Sequence, residues 1–141
     1  MVAHFFTHRA VTVCMDPTEF LQGSTVRISE ETYAVCRTDQ GHLAAFATIE
    51  DETETTVVVE HDDVSSIDAS AVESGWKRLT FEMNLPFELV GFLATVATAL
   101  AETDVSVFVL SSYTTDHVFV KENNLDAAVP QLEQLGCDVT N

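Results

Sequence analysis

The chain has 141 residues and a formal net charge of −17, because 23 acidic residues face only six basic ones. A field of that sign repels phosphate, so nucleic acid is not an expected partner. The hydrophobic fraction of 46% is too high for a disordered acidic chain, and no apolar run is long enough to predict a membrane-spanning helix. Composition therefore predicts a folded domain that binds neither nucleic acid nor membrane.

The acidic residues are spread along the whole chain, and Lys77 and Lys121 are its two lysines. At molar salt the screening length falls to about 3 Å, which makes such self-repulsion tolerable. This pattern favours a protein from a halophile with a high-salt cytoplasm, and the alternative is an acidic face for a basic partner. The first ten residues lack the basic-then-apolar order of a signal peptide, so the expected location is cytoplasmic.

Residues 1–70 are predicted to form a strand-rich half. Asp16 and Pro17 suit the N-cap and first position of a short helix through Leu21. Asp39–Gly41 is a hairpin turn signal, and the residues that follow it resemble an added hairpin with an acidic tip at 50–54. Strands are predicted at 9–14, 32–38, 42–49 and 55–64, and a polar connector at 65–75.

Residues 76–139 give a clearer pattern, in the order strand, helix, strand, strand, helix, strand. Apolar residues alternate in the first strand and recur at helical spacing after Pro86. Asn123 or Asn124 suits the N-cap of the second helix, and Gly136 suits its end. The predicted elements are a strand at 76–83, a helix at 87–102, strands at 104–112 and 117–122, a helix at 124–135 and a strand at 137–139.

This order is that of the ferredoxin-like βαββαβ unit, an α+β fold. It predicts a four-stranded antiparallel sheet with both helices on one face. Each half of the chain is near the size at which a lone core is marginally stable, so we expect the two halves to pack together or the protein to form a homodimer. The predicted domains are residues 1–70 and residues 71–141.

Two motifs in the second half resemble the ACT domain family. The first is LPFELVGFL at residues 85–93, preceded by the strand-opening Trp76, and the second is SSYTTDHVFVK at 111–121. They are most similar to small tandem-ACT proteins related to the eukaryotic cytosolic arginine sensors. Asn84 departs from that pattern, where relatives have glycine, and so does His117, where they have tyrosine. The resemblance implies a diverged ACT-like first half followed by an ACT domain.

Two loops concentrate groups that suit a small-molecule ligand. At residues 84–88, free N–H groups and the positive end of a helix dipole favour a carboxylate, and Gly91 allows a close approach. At residues 111–116, hydroxyls surround Asp116, whose carboxylate suits an ammonium group. The alternative is local capping and turn chemistry at both loops. The predicted ligand-binding residues are Asn84, Leu85, Pro86, Phe87, Gly91, Ser111, Ser112, Thr114, Thr115 and Asp116.

The resemblance implies that these loops lie near an interface between domains or subunits and clasp an α-amino acid together. Its carboxylate would lie at the helix start and its ammonium group at Asp116. The predicted function is a non-catalytic regulatory protein that senses an amino acid. The alternative is a ligand-free ACT scaffold for dimerisation or partner binding, which Phe87 and Tyr113 packed into the loops would favour.

An enzyme is the weakest of the three hypotheses, because no nucleophile–base or metal motif is present. Cys14, Cys36 and Cys137 have no metal-ligand spacing and are expected to be small buried residues. His4 and His8 are four residues apart in a segment without a helical pattern. We therefore predict no catalytic residue, no metal and no cofactor.

Overall fold

The computed structural model of the protein describes residues 15–141. The strand predicted at residues 9–14 lies outside the described residues. Three α-helices are described: α1 Pro17–Leu21, α2 Phe92–Ala101 and α3 Leu125–Gln134. Eight strands are described: β1 Thr25–Ile28, β2 Tyr33–Thr38, β3 Ala47–Glu50, β4 Thr55–Glu60, β5 Ala69–Phe81, β6 Phe108–Ser111, β7 Asp116–Lys121 and β8 Asp138–Thr140. Short 3-10 helices cover His61–Ser66 and Glu122–Asn124.

All eight strands belong to one sheet, organised around the 13-residue strand β5. On one edge β5 pairs with β2 along its first half and with β1 along its last three residues. On the other edge residues 76–80 of β5 pair with β7, which pairs in turn with β6. The hairpin of β3 and β4 extends the sheet beyond β2.

The last strand, β8, does not pair with β5 as a simple four-stranded sheet requires. β1 lies between them, antiparallel to β5 and parallel to β8. Val26 of β1 and Leu21 of α1 are fully buried in the same core as the two long helices. The first part of the chain thus supplies a strand and a helix to the ACT-like second half, while the division into residues 1–70 and 71–141 stays a prediction.

Both long helices pack on the same face of the sheet, as the βαββαβ pattern predicts. Alternate residues of β5 and β7 face them, including Leu79, Phe81 and Val118, which are 0–1% exposed. Val96 of α2 and Leu132 of α3 complete this core. Burial of these side chains, at roughly 1.5–3 kcal/mol each, holds the helices on the sheet.

The opposite face of the sheet carries aromatic and cationic side chains. Phe119 is fully buried there and makes edge contacts with Tyr33 and Phe108. The Arg78 guanidinium stacks 4.5 Å from the centre of the Phe46 ring and donates to the Tyr33 hydroxyl. The loop that precedes β3 therefore covers part of this face.

The structure corrects several predictions in the first half. Residues 42–46 are a turn rather than a strand, because the His42 carbonyl and ring nitrogen accept from the backbone of Ala45 and Ala44. β2 pairs with β4, so Asp39–Gly41 does not close a hairpin. Residues 61–66 form a 3-10 helix, and residues 69–75 of the predicted connector are the first half of β5. Their small polar side chains are mostly exposed and leave no apolar alternation to detect.

The start of α2 is also corrected. The predicted helix at 87–102 begins at Phe92, because Gly91 has a left-handed backbone with φ +89° and occupies the N-cap position. Residues 86–89 form a separate turn closed by the bond from Leu89 N–H to the Pro86 carbonyl. By contrast, Asp16 caps α1 as predicted, and Gly136 ends α3 with φ +99°. No helix in the described part of the chain is long and apolar enough to cross a membrane.

Candidate ligand site

A cavity of about 370 Å³ opens at the end of the sheet where β5 leaves the core. Three segments line it: the loop after β5, the first turn of α2 and the turn between β6 and β7. The lining residues are Leu85, Pro86, Phe87, Leu89, Gly91, Phe92, Leu93, Ala94, Ser111, Ser112, Tyr113, Thr114, Thr115 and Asp116. The volume lies within the range of about 300–1,000 Å³ that is typical of small-molecule sites.

Backbone hydrogen bonds hold the two loops of the cavity together. The Leu85 N–H donates to the Thr114 carbonyl at 2.7 Å. The Thr115 hydroxyl donates to the Phe81 carbonyl at 2.8 Å. Within the second turn, the N–H and the hydroxyl of Ser112 both donate to the Thr115 carbonyl. The walls of the cavity are therefore fixed by bonds that cross from one loop to the other.

The first turn of α2 contributes backbone donors. The first intrahelical bond runs from Thr95 N–H to the Gly91 carbonyl, so the N–H groups of Phe92, Leu93 and Ala94 have no partner within the helix. Gly91 has no side chain to cap them. Unpaired N–H groups and the positive end of the helix dipole make this end of the cavity suitable for an anionic group.

Asp116 provides the negative charge of the cavity, at the start of β7. One of its carboxylate oxygens accepts the Ser111 hydroxyl at 2.6 Å. Asp116 is half-buried, and no ion pair to it is found among the described residues. The carboxylate therefore keeps accepting capacity for a cationic group in the cavity.

Two aromatic rings stand beside the polar groups of the cavity. The centres of the Phe87 and Tyr113 rings are 5.0 Å apart in an edge-to-face arrangement. The two residues remain 73% and 81% exposed, so the rings do not fill the cavity. Val90 and Leu93 add exposed apolar surface nearby.

Nine of the ten ligand-binding residues predicted from the sequence line this cavity. Asn84 does not line it, and the alternative that Asn84 caps the helix is also wrong, because Gly91 is the N-cap of α2. The backbone of Leu85 is also unavailable, since its N–H already bonds Thr114. The available donors are those of α2, seven and more residues further along the chain.

Sequence reasoning missed five residues of the lining. These are Leu89, Phe92, Leu93, Ala94 and Tyr113. Three of them, Leu89, Phe92 and Leu93, fit the apolar stripe of the predicted helix, which indicates packing rather than ligand binding. The glycine at position 91 was the signal that could have placed the helix start, and the cavity with it, at residue 92.

His117 follows Asp116 but belongs to the opposite face of the sheet. Its Nδ1 lies 3.1 Å from the Thr80 hydroxyl, and its ring contacts Phe46. Burial lowers the pKa of His117, and the nearby Arg78 charge lowers it further, against a smaller opposing effect of Asp116. The imidazole is therefore neutral at pH 7 and is not a second charge for the cavity.

A serine–histidine contact elsewhere does not have the arrangement of a nucleophile and its base. His42 Nε2 lies 3.3 Å from the Ser66 hydroxyl, but His42 Nδ1 accepts from the Ala44 N–H. In a neutral ring the proton is then on Nε2, so His42 cannot accept the serine proton. Ser66 donates instead to the Asp63 carbonyl. No cluster of three metal-ligating side chains occurs within residues 15–141.

Residues 71–134 match the family model of the ACT domain. A protein from Agrobacterium tumefaciens is similar in structure, with 20% identity, a TM-score of 0.72 and coverage of 84% of this chain and 92% of that one. A protein of unknown function from Vibrio cholerae, described as a possible transport protein, has 27% identity, a TM-score of 0.65 and coverage of 82% and 92%.

The regulatory subunit of aspartate kinase from Thermus thermophilus is similar at 11% identity, with a TM-score of 0.57 and coverage of 82% of this chain and 98% of that one. No curated protein matches the chain. ACT domains are regulatory domains that typically bind amino acids. The chain has the ferredoxin-like α+β fold of ACT regulatory domains, and its residues 71–134 carry the ACT domain match.

Proposed function

We propose that this protein is a non-catalytic regulatory protein that binds an α-amino acid in the cavity between α2 and the β6–β7 turn. One observation carries the proposal: the cavity joins a helix N-terminus without a side-chain cap to the carboxylate of Asp116, which has no ion pair among the described residues. An α-amino acid carries the two complementary charges on one carbon atom. The match to the ACT domain and the similarity to an aspartate kinase regulatory subunit support a regulatory role.

In this proposal the ligand carboxylate accepts from the N–H groups of Leu93 and Ala94 at the start of α2. The ammonium group donates to Asp116, and the Ser111 hydroxyl orients that carboxylate from the other side. Both bonds involve charged groups, which makes each worth about 1.5–3 kcal/mol. The site therefore selects the zwitterionic end of the ligand.

Regulation would follow from linkage. A ligand that binds one packing of domains or subunits more tightly shifts the population toward that packing. The cavity is open, and exposed apolar residues stand next to it, so a second copy of the chain or another domain can cover it. We therefore expect a homodimer whose stability depends on the ligand.

A second function, a ligand-free scaffold, is favoured by the exposed ring pair of Phe87 and Tyr113. With Val90 and Leu93 these rings form an apolar patch of the kind that marks protein contacts. If the patch alone matters, the protein associates through it without any small molecule. Ligand dependence of the association separates the two functions.

The test is a thermal-shift screen of the twenty amino acids, followed by calorimetric titration of each hit. Both are done in dilute buffer and in about 2 M KCl, because the charge of −17 predicts that salt stabilises the fold. Asp116→Asn should weaken binding roughly ten- to a hundredfold, since it removes a charge-assisted bond and keeps the shape.

Asp51→Asn is the matched control, because Asp51 lies in the turn of the other hairpin, away from the cavity. The proposal expects it to bind like the unmodified protein. Equal binding by Asp116→Asn would show that Asp116 does not bind the ammonium group of the ligand. Binding of no amino acid in either buffer, with a dimer that persists, would establish the scaffold function instead.

A further inference from the structure

We infer that the ligand of this cavity is an amino acid with a neutral, apolar side chain. This inference rests on the proposed function and narrows it to a ligand class. Two observations support the inference: Asp116 is the single charged side chain of the lining, and the apolar lining residues lie together on one wall of the cavity.

Asp116 is the one carboxylate among the lining residues, and the lining contains no lysine, arginine or histidine. Once Asp116 pairs with the ammonium group, no acidic side chain in the lining remains for a lysine or arginine ligand. When a second copy or another domain covers the cavity, as proposed above, the second charge of such a ligand is buried without a partner, which costs far more than an apolar contact returns. The site therefore discriminates against basic amino acids by leaving their second charge unpaired.

Acidic amino acids are disfavoured for the converse reason. Four of the described basic residues are already paired with glutamates, in the ion pairs Arg27–Glu82, Arg37–Glu54, Lys77–Glu122 and Lys121–Glu73. The fifth, Arg78, is held on the opposite face of the sheet by Thr80 and Tyr33. None of them lines the cavity, so a second carboxylate of the ligand finds no cationic side chain there.

The remaining lining is apolar on the side of the loop after β5. Leu85, Leu89 and Leu93 contribute aliphatic surface, and Phe87 contributes an aromatic ring. The half-buried Leu85 and Leu89 also pack against the core that holds the helices, so these walls are supported from behind. A ligand side chain directed to this wall gains by leaving water, at a rate of about 0.8 kcal/mol for each buried methylene.

This rate predicts a graded series of affinities. Each added methylene should tighten binding about fourfold from alanine through valine to leucine, until the cavity is full. Methionine and phenylalanine have larger side chains and show at which size the cavity is full. Aspartate, glutamate, lysine and arginine should bind at least tenfold more weakly than leucine.

The experiment is calorimetric titration of the unmodified protein with those nine amino acids. Leu93→Lys then places a cation beside the cavity, on a residue that is 36% exposed. This variant should gain affinity for glutamate and lose affinity for leucine. Leu93→Met is the control for packing and should keep the original order of ligands.

The outcomes separate this inference from the proposed function. Tight binding of lysine or glutamate to the unmodified protein, with leucine weak, overturns the ligand class and leaves an amino-acid sensor. Binding of no amino acid at all overturns the sensor and the ligand class together. An affinity that rises from alanine through valine to leucine, together with a gain for glutamate only in Leu93→Lys, supports both the ligand class and the amino-acid sensor.

Discussion

The hairpins β3–β4 and β6–β7 are built alike but end in different turns. Each joins a four-residue outer strand to a six-residue inner strand that carries three successive buried residues, 57–59 in β4 and 118–120 in β7. In the first turn, Asp51 accepts from the N–H groups of Thr53 and Glu54 at 2.8 and 3.0 Å. In the second, no backbone bond to the side chain of Asp116 is found within the described residues, and the Ser111 hydroxyl is its partner.

This difference in hydrogen bonding determines whether a carboxylate near a turn is available to bind a ligand. Asp51 is committed to its own turn, and the hydrogen bonds from Thr53, with a smaller one from Glu54, lower its pKa. Asp116 is the first residue of β7. The turn before it is closed by hydrogen bonds from Ser112 to the Thr115 carbonyl, in which Asp116 takes no part. Both turns are polar in sequence, and the second places the carboxylate of Asp116 in the lining of the cavity.

The largest effect expected is on stability, from the buried residues of the two hairpins. Phe119→Ala should cost about 3–5 kcal/mol, because Phe119 is fully buried against three aromatic rings. Val58→Ala, at a fully buried position of the first hairpin, should cost about 2 kcal/mol. Urea denaturation measures both. Equal losses would contradict this expectation, because Phe119 buries a larger side chain than Val58.

Next in size is the glycine that starts α2. Gly91→Ala should destabilise the protein by about 1–2 kcal/mol, because a side chain is strained at φ +89°, although the nearest atom, Pro17 Cγ, is 3.7 Å away. Ligand affinity should fall as well, since the donors of α2 would shift. Gly75→Ala is the control: it has φ +84°, lies in β5 and should lose similar stability with unchanged affinity. If Gly91→Ala binds normally, the start of α2 does not hold the ligand.

The second hairpin should respond to pH below neutrality through His117. Its folded pKa is lowered, chiefly by burial, so the unfolded chain takes up a proton first. Stability should therefore be unaffected above the ordinary histidine pKa of about 6.5 and fall as pH drops from there toward the folded value. His117→Gln should remove this dependence of the melting temperature between pH 7 and 5. Retention of the full slope in that variant would assign it to another group.

The first hairpin should respond at lower pH and with the smallest effect. The lowered pKa of Asp51 adds stability above the ordinary aspartate pKa of about 3.9, and this is lost as pH falls through the folded value. Asp51→Asn should reduce the dependence of the melting temperature on pH, and only below about pH 4. A change near pH 6 in that variant would contradict the assignment of the two pH ranges to the two hairpins.

Local patterns in the sequence predicted the second half well. Alternation in β5, helical spacing in α2 and the capping residues around α3 indicated the βαββαβ order, and the polar turn indicated five of the fourteen residues that line the cavity. The first half of β5 was missed because its backbone pairing with β2, not its exposed side chains, makes it a strand. The insertion of β1 between β5 and β8 was missed because it depends on contacts far apart in the chain.

The site was predicted in outline but not in its donors. Apolar spacing continues from Leu89 into α2, so the helix was predicted to start too early, and the carboxylate contacts were assigned to Leu85–Phe87. The backbone angle of Gly91 sets the start of α2, and the hydrogen bond from the Leu85 N–H to the Thr114 carbonyl removes Leu85 as a donor to the ligand. Neither feature can be predicted from the order of residues alone. By contrast, the composition of residues 111–116, with several hydroxyls and one carboxylate, was enough to predict that this loop belongs to the site.

The most direct test of amino-acid binding in this cavity is a titration of ¹⁵N-labelled protein with leucine, followed by amide NMR. The account predicts that the amides of Phe92, Leu93 and Ala94 shift together with those of residues 112–116. The amides of residues 51–54, in the other hairpin turn, should stay in place. Shifts confined to the opposite face of the sheet, or no shifts at saturating leucine and alanine, would contradict it.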